Sequence, residues 1–205
     1  MRSVYFNGKF VPETEANISI YDSALMFGDM IFDMTRSYNK KQFRLRKHLE
    51  RLYNSMKSAE ISIDMSIDEM EQACLDTIKK NEPFFEPHDE HRLMINVSRG
   101  PLSIYAEIFG GKLEPTIIIA DFPLKWTVGG MDRLYETGIN AIVTSQRVIP
   151  EQLLDPKVKN RSRMFYMMAN IEVSKHKGNN NWALMLDPDD YIAEGSGANF
   201  FMVKD

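Results

Sequence analysis

Two ionisable residues in the last third of the sequence are spaced for cofactor chemistry. Lys159 stands within DPKVKNRSRMFYMMANIEV, residues 155–173, just ahead of a helix-like segment. Glu194 ends a short strand-like run and is followed at once by Gly195, Ser196 and Gly197. A lysine amine holds an aldehyde as a Schiff base, and a carboxylate beside a pyridine nitrogen keeps the ring able to accept the electrons of a carbanion. The pair therefore suits pyridoxal phosphate chemistry. Such a lysine must lose its proton near neutral pH, which burial and neighbouring positive charge both promote. Lys157, Arg161 and Arg163 supply that charge. The glycines let backbone come close to a flat ring. Each residue also has an ordinary reading: a solvated lysine at a helix start, and a strand-end carboxylate before a glycine turn.

Three arginines are further candidates. Arg51 lies between Leu49 and Leu52 at the border of an apolar helical stripe. It reads either as a surface residue or as a bidentate phosphate ligand. Arg36 and Arg92 fall in strand-like segments and read as sheet-edge charges or as anchors for a substrate carboxylate. No GxGxxG or phosphate-loop pattern is present, which argues against nucleotide chemistry. The histidines, His48, His88, His91 and His176, lack metal-ligand spacing, so no metal is expected.

The elements that must position these residues fit a chain of 205 residues, long enough for one or two domains with a sizeable core. A 43% hydrophobic and 26% charged composition is that of a globular protein, and a net charge of −4 points to neither nucleic acid nor a membrane surface. The single cysteine, Cys74, excludes an internal disulfide and suits a reducing cytoplasm. No apolar signal core or membrane-length run is visible.

Residues 4–11 (VYFNGKFV) read as a hairpin turned at Asn7-Gly8. Residues 17–22 read as extended, 33–38 and 42–45 as strands. Residues 48–59 form an amphipathic helix with Leu49, Leu52, Tyr53, Met56 and Ala59 on one face. Ser66 and Glu69 make a capping-box pattern that opens a second helix to about Lys80, with Ile67, Met70, Cys74 and Ile78 inward. Residues 93–97 and 116–122 are strands, the latter buried on both faces at Ile117-Ile118-Ile119. Residue 139 opens another strand to 144. Residues 160–176 are predicted helical, with Met164, Met168 and Ile171 on one side. Strands follow at 182–186, 191–193 and 199–203. The fold class is α/β, mixed α+β, in two units: 1–121, a connector at 122–132, and 133–205.

These segments together resemble the class IV aminotransferases, the fold-type-IV pyridoxal-phosphate enzymes, a group that includes branched-chain and D-amino-acid aminotransferases, (R)-selective amine transaminases and aminodeoxychorismate lyase. The resemblance runs in order through FNGKFV, FGDMIFDMTRSYN (27–39), RLRKHLERLYNS (44–55), VKNRSRMFYMMANIE (158–172) and EGSGANFF (194–201). It implies a two-domain fold with pyridoxal 5'-phosphate at the domain junction, and a homodimer. It places the Schiff base and proton transfer on Lys159, the phosphate contact on Arg51, and the ring-nitrogen contact on Glu194 with Gly195 and Ser196 beside it. Phe32, Arg36 and Arg92 become candidate substrate contacts. The implied activity moves an amino group between an amino acid or amine and a 2-oxo acid. A lyase on the same scaffold and a cofactor-free module are the alternatives. Two differences stand out. Asn160-Arg161-Ser162-Arg163 follows the lysine, and Phe32-Asp33 stands where relatives carry tyrosine and glutamate. Members of the family continue beyond the point where this sequence stops, so a fragment or truncated form is expected.

Overall fold

The computed structural model describes residues 1–204; Asp205, the end of the second predicted unit, lies outside the described residues. The chain forms two compact units. One comprises Met1–Gly129 with Lys157–Ser162, and the other Gly130–Pro156 with Arg163–Asp205.

In the first unit, strands β1 (Ser3–Phe6) and β2 (Lys9–Pro12) form the hairpin turned at Asn7, whose φ is +44°, and Gly8. Residues 17–21 form no strand. Instead the buried Asp22 caps helix α1 (Ser23–Phe27), accepting from the Ala24 amide at 2.8 Å and from Thr116 Oγ1 at 2.6 Å. Strand β3 (Met30–Tyr38) is followed by the short β4 (Lys41–Gln42) and by helices α2 (Leu45–Ser58) and α3 (Ile67–Asn81). Strands β5 (His91–Ser98) and β6 (Thr116–Pro123) complete a sheet of order β2-β1-β6-β5-β3-β4. The 98–115 connection carries a 3₁₀ segment, Ser103–Phe109, and a short α4 (Lys125–Val128) follows β6.

Alternation along the strands sorts the side chains onto two faces. The face bearing Leu93, Ile95 and Ile119 packs on α2 and α3, whose Leu49, Leu52, Met70 and Cys74 are fully buried. Burying each such leucine or methionine side chain contributes about 1.5–3 kcal/mol, against about 1 kcal/mol for a typical helix cap, so packing fixes these helices on that face. The capping box at Ser66 and Glu69 is formed and sets where α3 begins. Its other end is tied to β1 by Asn81, which exchanges hydrogen bonds with the Ser3 backbone at 2.7 and 2.9 Å. On the opposite face Ile118 is only half-buried, so β6 is not sealed on both sides as its apolar run suggested.

The helical face also takes the acids of the sheet. His91 is fully buried, with Nδ1 2.9 Å from Asp121, Nε2 2.5 Å from Glu82, and its ring stacked on Phe85. Burial pushes the imidazole pKa down, but hydrogen bonds and charge from the two carboxylates outweigh it and raise the value above the ordinary one.

The second unit holds a short α5 (Leu134–Thr137), strand β7 (Asn140–Arg147), helix α6 (Met164–Ser174), and strands β8 (Asn181–Leu186) and β9 (Ile192–Gly195). β8 is central, parallel to β7 and antiparallel to β9. Helix α6 starts at Met164, four residues later than the sequence pattern suggests, because 160–162 is extended. Its buried side is Tyr166, Ala169 and Val173, whereas Met164, Met168 and Ile171 are exposed. The helix is apolar nearly all round, so periodicity alone could not choose the packed face. Residues 199–203 form no strand, and no neighbouring strand pairs with them among the described residues.

Candidate active site

Lys159 lies in extended backbone rather than at a helix start. Its carbonyl accepts from the Phe32 amide at 3.0 Å, and the Arg161 amide donates to Met30 O at 2.8 Å. Asn160 bridges Ile31 in antiparallel fashion, so residues 159–161 extend the sheet along the free edge of β3. The Lys159 amide also donates to Ser55 Oγ of α2 at 3.2 Å. These bonds fix the backbone on either side of the amine. Nearby, Ser162 Oγ donates to Gly28 O at 3.1 Å, and a Cβ at Gly28 would stand 2.8 Å from that hydroxyl. The close approach of the segment to the end of α1 depends on that glycine.

Alternation puts Lys159 and Arg161 on the sheet face away from α2 and α3, on either side of Phe32. Lys159 Nζ is 4.9 Å from the Phe32 ring centroid and Arg161 Cζ is 3.7 Å from it. Arg161 is anchored there by Asn96 Oδ1, at 3.0 Å from Nε and 2.8 Å from Nη2. Cation–π attraction from the aromatic face stabilises both cations. Arg161 was legible in the sequence only as one of several neighbouring charges. Its pairing with Asn96 depends on strand register, which no local pattern encodes.

Arg36 and Arg92 share this face. They are direct cross-strand partners in the β3–β5 register that runs from Met30↔Ser98 to Arg36↔Arg92.

Arg51 occupies the second turn of α2. Its Nε and Nη2 each lie 2.8 Å from the two carboxylate oxygens of Asp33, a fork-to-fork pair with a fully buried acid. His48 Nδ1 lies 2.8 Å from Asp33 Oδ1. Burial raises the Asp33 pKa, but the hydrogen bonds from His48 and Arg51, with their charge, more than offset it and hold the carboxyl below its usual range. Two of the guanidinium nitrogens are therefore committed to Asp33. The Arg51 side chain is 48% exposed, which leaves Nη1 as the edge available to an anion. Asp33 and His48 are functional candidates that the sequence reading did not single out. The spacing of His48 and Arg51 on one helical face was a usable signal.

In the second unit, Glu194 Oε1 accepts from the Tyr166 hydroxyl at 2.5 Å. Burial, then the carboxylate, pushes the Tyr166 pKa up, so the phenol stays protonated and orients the acid. The Gly195 amide donates to Ala198 O at 3.1 Å, and Ser196 Oγ lies 2.5 Å from Asn170 Oδ1. Glu194, Gly195 and Ser196 are thus held on β9 and its following turn by α6 and β8.

Within the first unit Lys159 carries an amine and Arg51 a guanidinium with an exposed edge, and within the second Glu194 carries a carboxylate oriented by Tyr166. The family model described as Amino-transferase class IV matches residues 30–205. A putative branched-chain-amino-acid aminotransferase of Methanocaldococcus jannaschii is 34% identical over 202 residues, covering 98% of this chain and 65% of that protein. The crystal structure of a branched-chain aminotransferase from Thermoproteus uzoniensis with norvaline superposes with a TM-score of 0.78 at 26% identity, covering 96% of this chain and 63% of that one. A T.th. branched-chain amino acid aminotransferase complexed with N-(5'-phosphopyridoxyl)-L-glutamate gives 0.77 at 25% identity, with 96% and 62% covered. The chain spans just under two thirds of the length of these relatives. With the mixed α/β architecture and the match over most of its length, this chain belongs to the class IV aminotransferase family.

Proposed function

We propose that the chain carries the cofactor-binding machinery of a pyridoxal-phosphate-dependent aminotransferase that moves an amino group between an amino acid, or amine, and a 2-oxo acid. The observation that carries this reading is Lys159: its backbone is pinned to β3 on one side and Ser55 on the other, and its amine is set over Phe32 beside a second cation. The relatives' action on branched-chain amino acids, and the apolar Phe32, Met34 and Met94 on the same face, support an amino donor with an apolar side chain. A homodimer in the cytoplasm is part of the proposal.

Pyridoxal phosphate, when bound, supplies an aldehyde to hold the amino group and a ring that withdraws electrons from the substrate carbon. Lys159 Nζ would hold the aldehyde and would be the base that takes and returns the proton at the substrate Cα. Arg51 would offer Nη1 to the phosphate while Asp33 holds the rest of its fork. Glu194, oriented by Tyr166, would hold the proton on the ring nitrogen. Gly195 and Ser196 would bring backbone alongside the ring.

The test is spectroscopic. The purified chain, with pyridoxal phosphate added, is expected to show the visible absorbance of lysine-bound cofactor and a raised melting midpoint. Lys159→Ala is expected to lose the absorbance and all transamination while remaining folded. Absence of both signals in the wild-type chain, or their retention in Lys159→Ala, refutes the assignment.

A further inference from the structure

We propose that a cavity on the helical side of the first unit's sheet is a binding site for an alkyl polyamine, a flexible hydrocarbon chain carrying two or more ammonium groups.

The cavity has a volume of about 590 Å³ and lies between the β1–β2 hairpin, helix α3, the link from α2 to α3 and the start of β6. Small-molecule sites fall at roughly 300–1,000 Å³. Strand register builds its aromatic wall. Tyr5 and Phe10 are cross-strand partners, with ring centroids 5.6 Å apart and planes at 75°. Ile117 adjoins them, two residues from Ile119 and on the same face of β6. Lys159 lies on the other face of this sheet, so the cavity is separate from the site described above.

Helix α3 builds the facing wall. Glu69, Gln72, Ala73 and Asp76 follow the spacing that puts side chains on one helical face. Ala73, in the middle of that stripe, carries only a methyl group and leaves room between helix and hairpin. Glu69 and Asp76 stand about 10 Å apart along the axis at the helical rise per residue.

The charge in the cavity is of one sign. Asp64, Glu69, Asp76 and Glu114 line it, and no lysine, arginine or histidine does so among the described residues. On the outer side of the same helix, Asp68 and Glu71 both pair with Arg46. Among the described residues, none of the four cavity acids makes an ion pair. Their contacts are with neutral donors: Glu69 Oε2 accepts from the Ser66 amide and Oγ at 2.7 Å, and Asp76 Oδ1 accepts from Gln72 Nε2 at 3.0 Å.

The aromatic wall already receives an ammonium group. Lys80 Nζ, from the last turn of α3, stands 4.8 Å from the Phe10 centroid. Aromatic faces attract such cations. Tyr5 also presents a neutral ring, because burial first, and the Glu69 charge after it, raise its phenol above the ordinary value. Negative charge alone would take any cation. The walls select one with a hydrocarbon body, whose methylenes bury against Tyr5, Phe10, Met65 and Ile117. Ammonium groups spaced along an extended chain then reach Glu69 at one end of the stripe and Asp76 at the other.

Isothermal titration calorimetry of the full chain at low salt, with no cofactor added, tests the site with spermidine. Saturable binding of one spermidine per chain is expected. Phe10→Leu, which keeps apolar bulk and removes the ring, is expected to weaken it about two- to thirtyfold. Asp76→Asn and Glu114→Gln are each expected to weaken it about two- to fivefold. Glu114 is exposed, so its variant keeps the test decisive should Phe10→Leu not fold. Lys159→Ala is expected to bind as the wild type does, and magnesium ion and neutral butanediol to give no saturable heat. The proposal is overturned by no saturable spermidine binding, or by unchanged affinity in both carboxylate variants. Magnesium binding as tightly as spermidine reduces the cavity to a cluster of acids and also overturns it. Loss of binding in Lys159→Ala places the ligand on the opposite face and refutes the assignment to this cavity.

Discussion

The exchange Asp33→Asn isolates the ion pair that holds Arg51. The carboxylate is fully buried and meets three polar atoms at 2.8 Å: Nε and Nη2 of Arg51, and Nδ1 of His48. Asparagine keeps the shape but removes the charge, and its amide group turns two hydrogens towards groups that are themselves donors. At most one of the Arg51 bonds survives. A hydrogen bond to a charged group contributes about 1.5–3 kcal/mol, so two lost bonds set an upper range of about 3–6 kcal/mol. The Arg51 side chain is half-exposed, and water recovers part of the loss on that side. The expected destabilisation is therefore about 2–4 kcal/mol, or a midpoint lowered by about 5–15 °C at the entropy scale of a chain this size.

The pH dependence gives a second signature. A carboxyl held below its usual range adds stability that is complete above its unfolded pKa and is lost as pH falls through the folded value. Asp33→Asn is expected to flatten that acid limb. Urea unfolding followed by circular dichroism between pH 3 and 7, for wild type, Asp33→Asn, Arg51→Gln and the double variant, yields the coupling energy directly. A coupling of about 1–3 kcal/mol is expected for partners in one network. Single variants within about 0.5 kcal/mol of wild type, or strictly additive losses, would refute the pairing.

Other outcomes follow from the same geometry. The raised pKa of His91 means that its contribution is complete below the unfolded value near 6.5 and is lost as pH rises through the folded one, so the midpoint should fall on the alkaline side. His91→Gln should remove that fall, and equal alkaline slopes in both proteins would contradict the buried carboxylate–imidazole–carboxylate arrangement. Ser66→Ala, which deletes one half of the formed capping box, should reduce stability by about 0.5–2 kcal/mol in urea, and no change would show that α3 is set by packing alone. Tyr166→Phe should leave the fold intact and weaken pyridoxal phosphate binding measured by absorbance titration, because Glu194 loses the donor at 2.5 Å that orients it; unchanged affinity would separate that hydrogen bond from the cofactor.

The local features of the fold were legible from the sequence because their causes are local. Asn7-Gly8 marks a turn through its tolerance of positive φ, Ser66 and Glu69 satisfy each other's backbone within one helical turn, and the α2 stripe at Leu49, Leu52 and Met56 follows from helical period. Ordered resemblance placed Lys159, Arg51 and Glu194 among the residues to watch. Tertiary structure decided the rest. Lys159 sits on a sheet edge and not at a helix start, because the hydrogen bonds that hold it come from residues 30–32, more than a hundred positions away. The packed side of α6 was chosen by β7 and β8, since a helix apolar all round carries no preference of its own. Arg36 faces Arg92, and Arg51 meets Asp33, through strand register and helix placement. A register shift of one residue would turn each of these side chains to the opposite face, so no single segment of sequence could specify them.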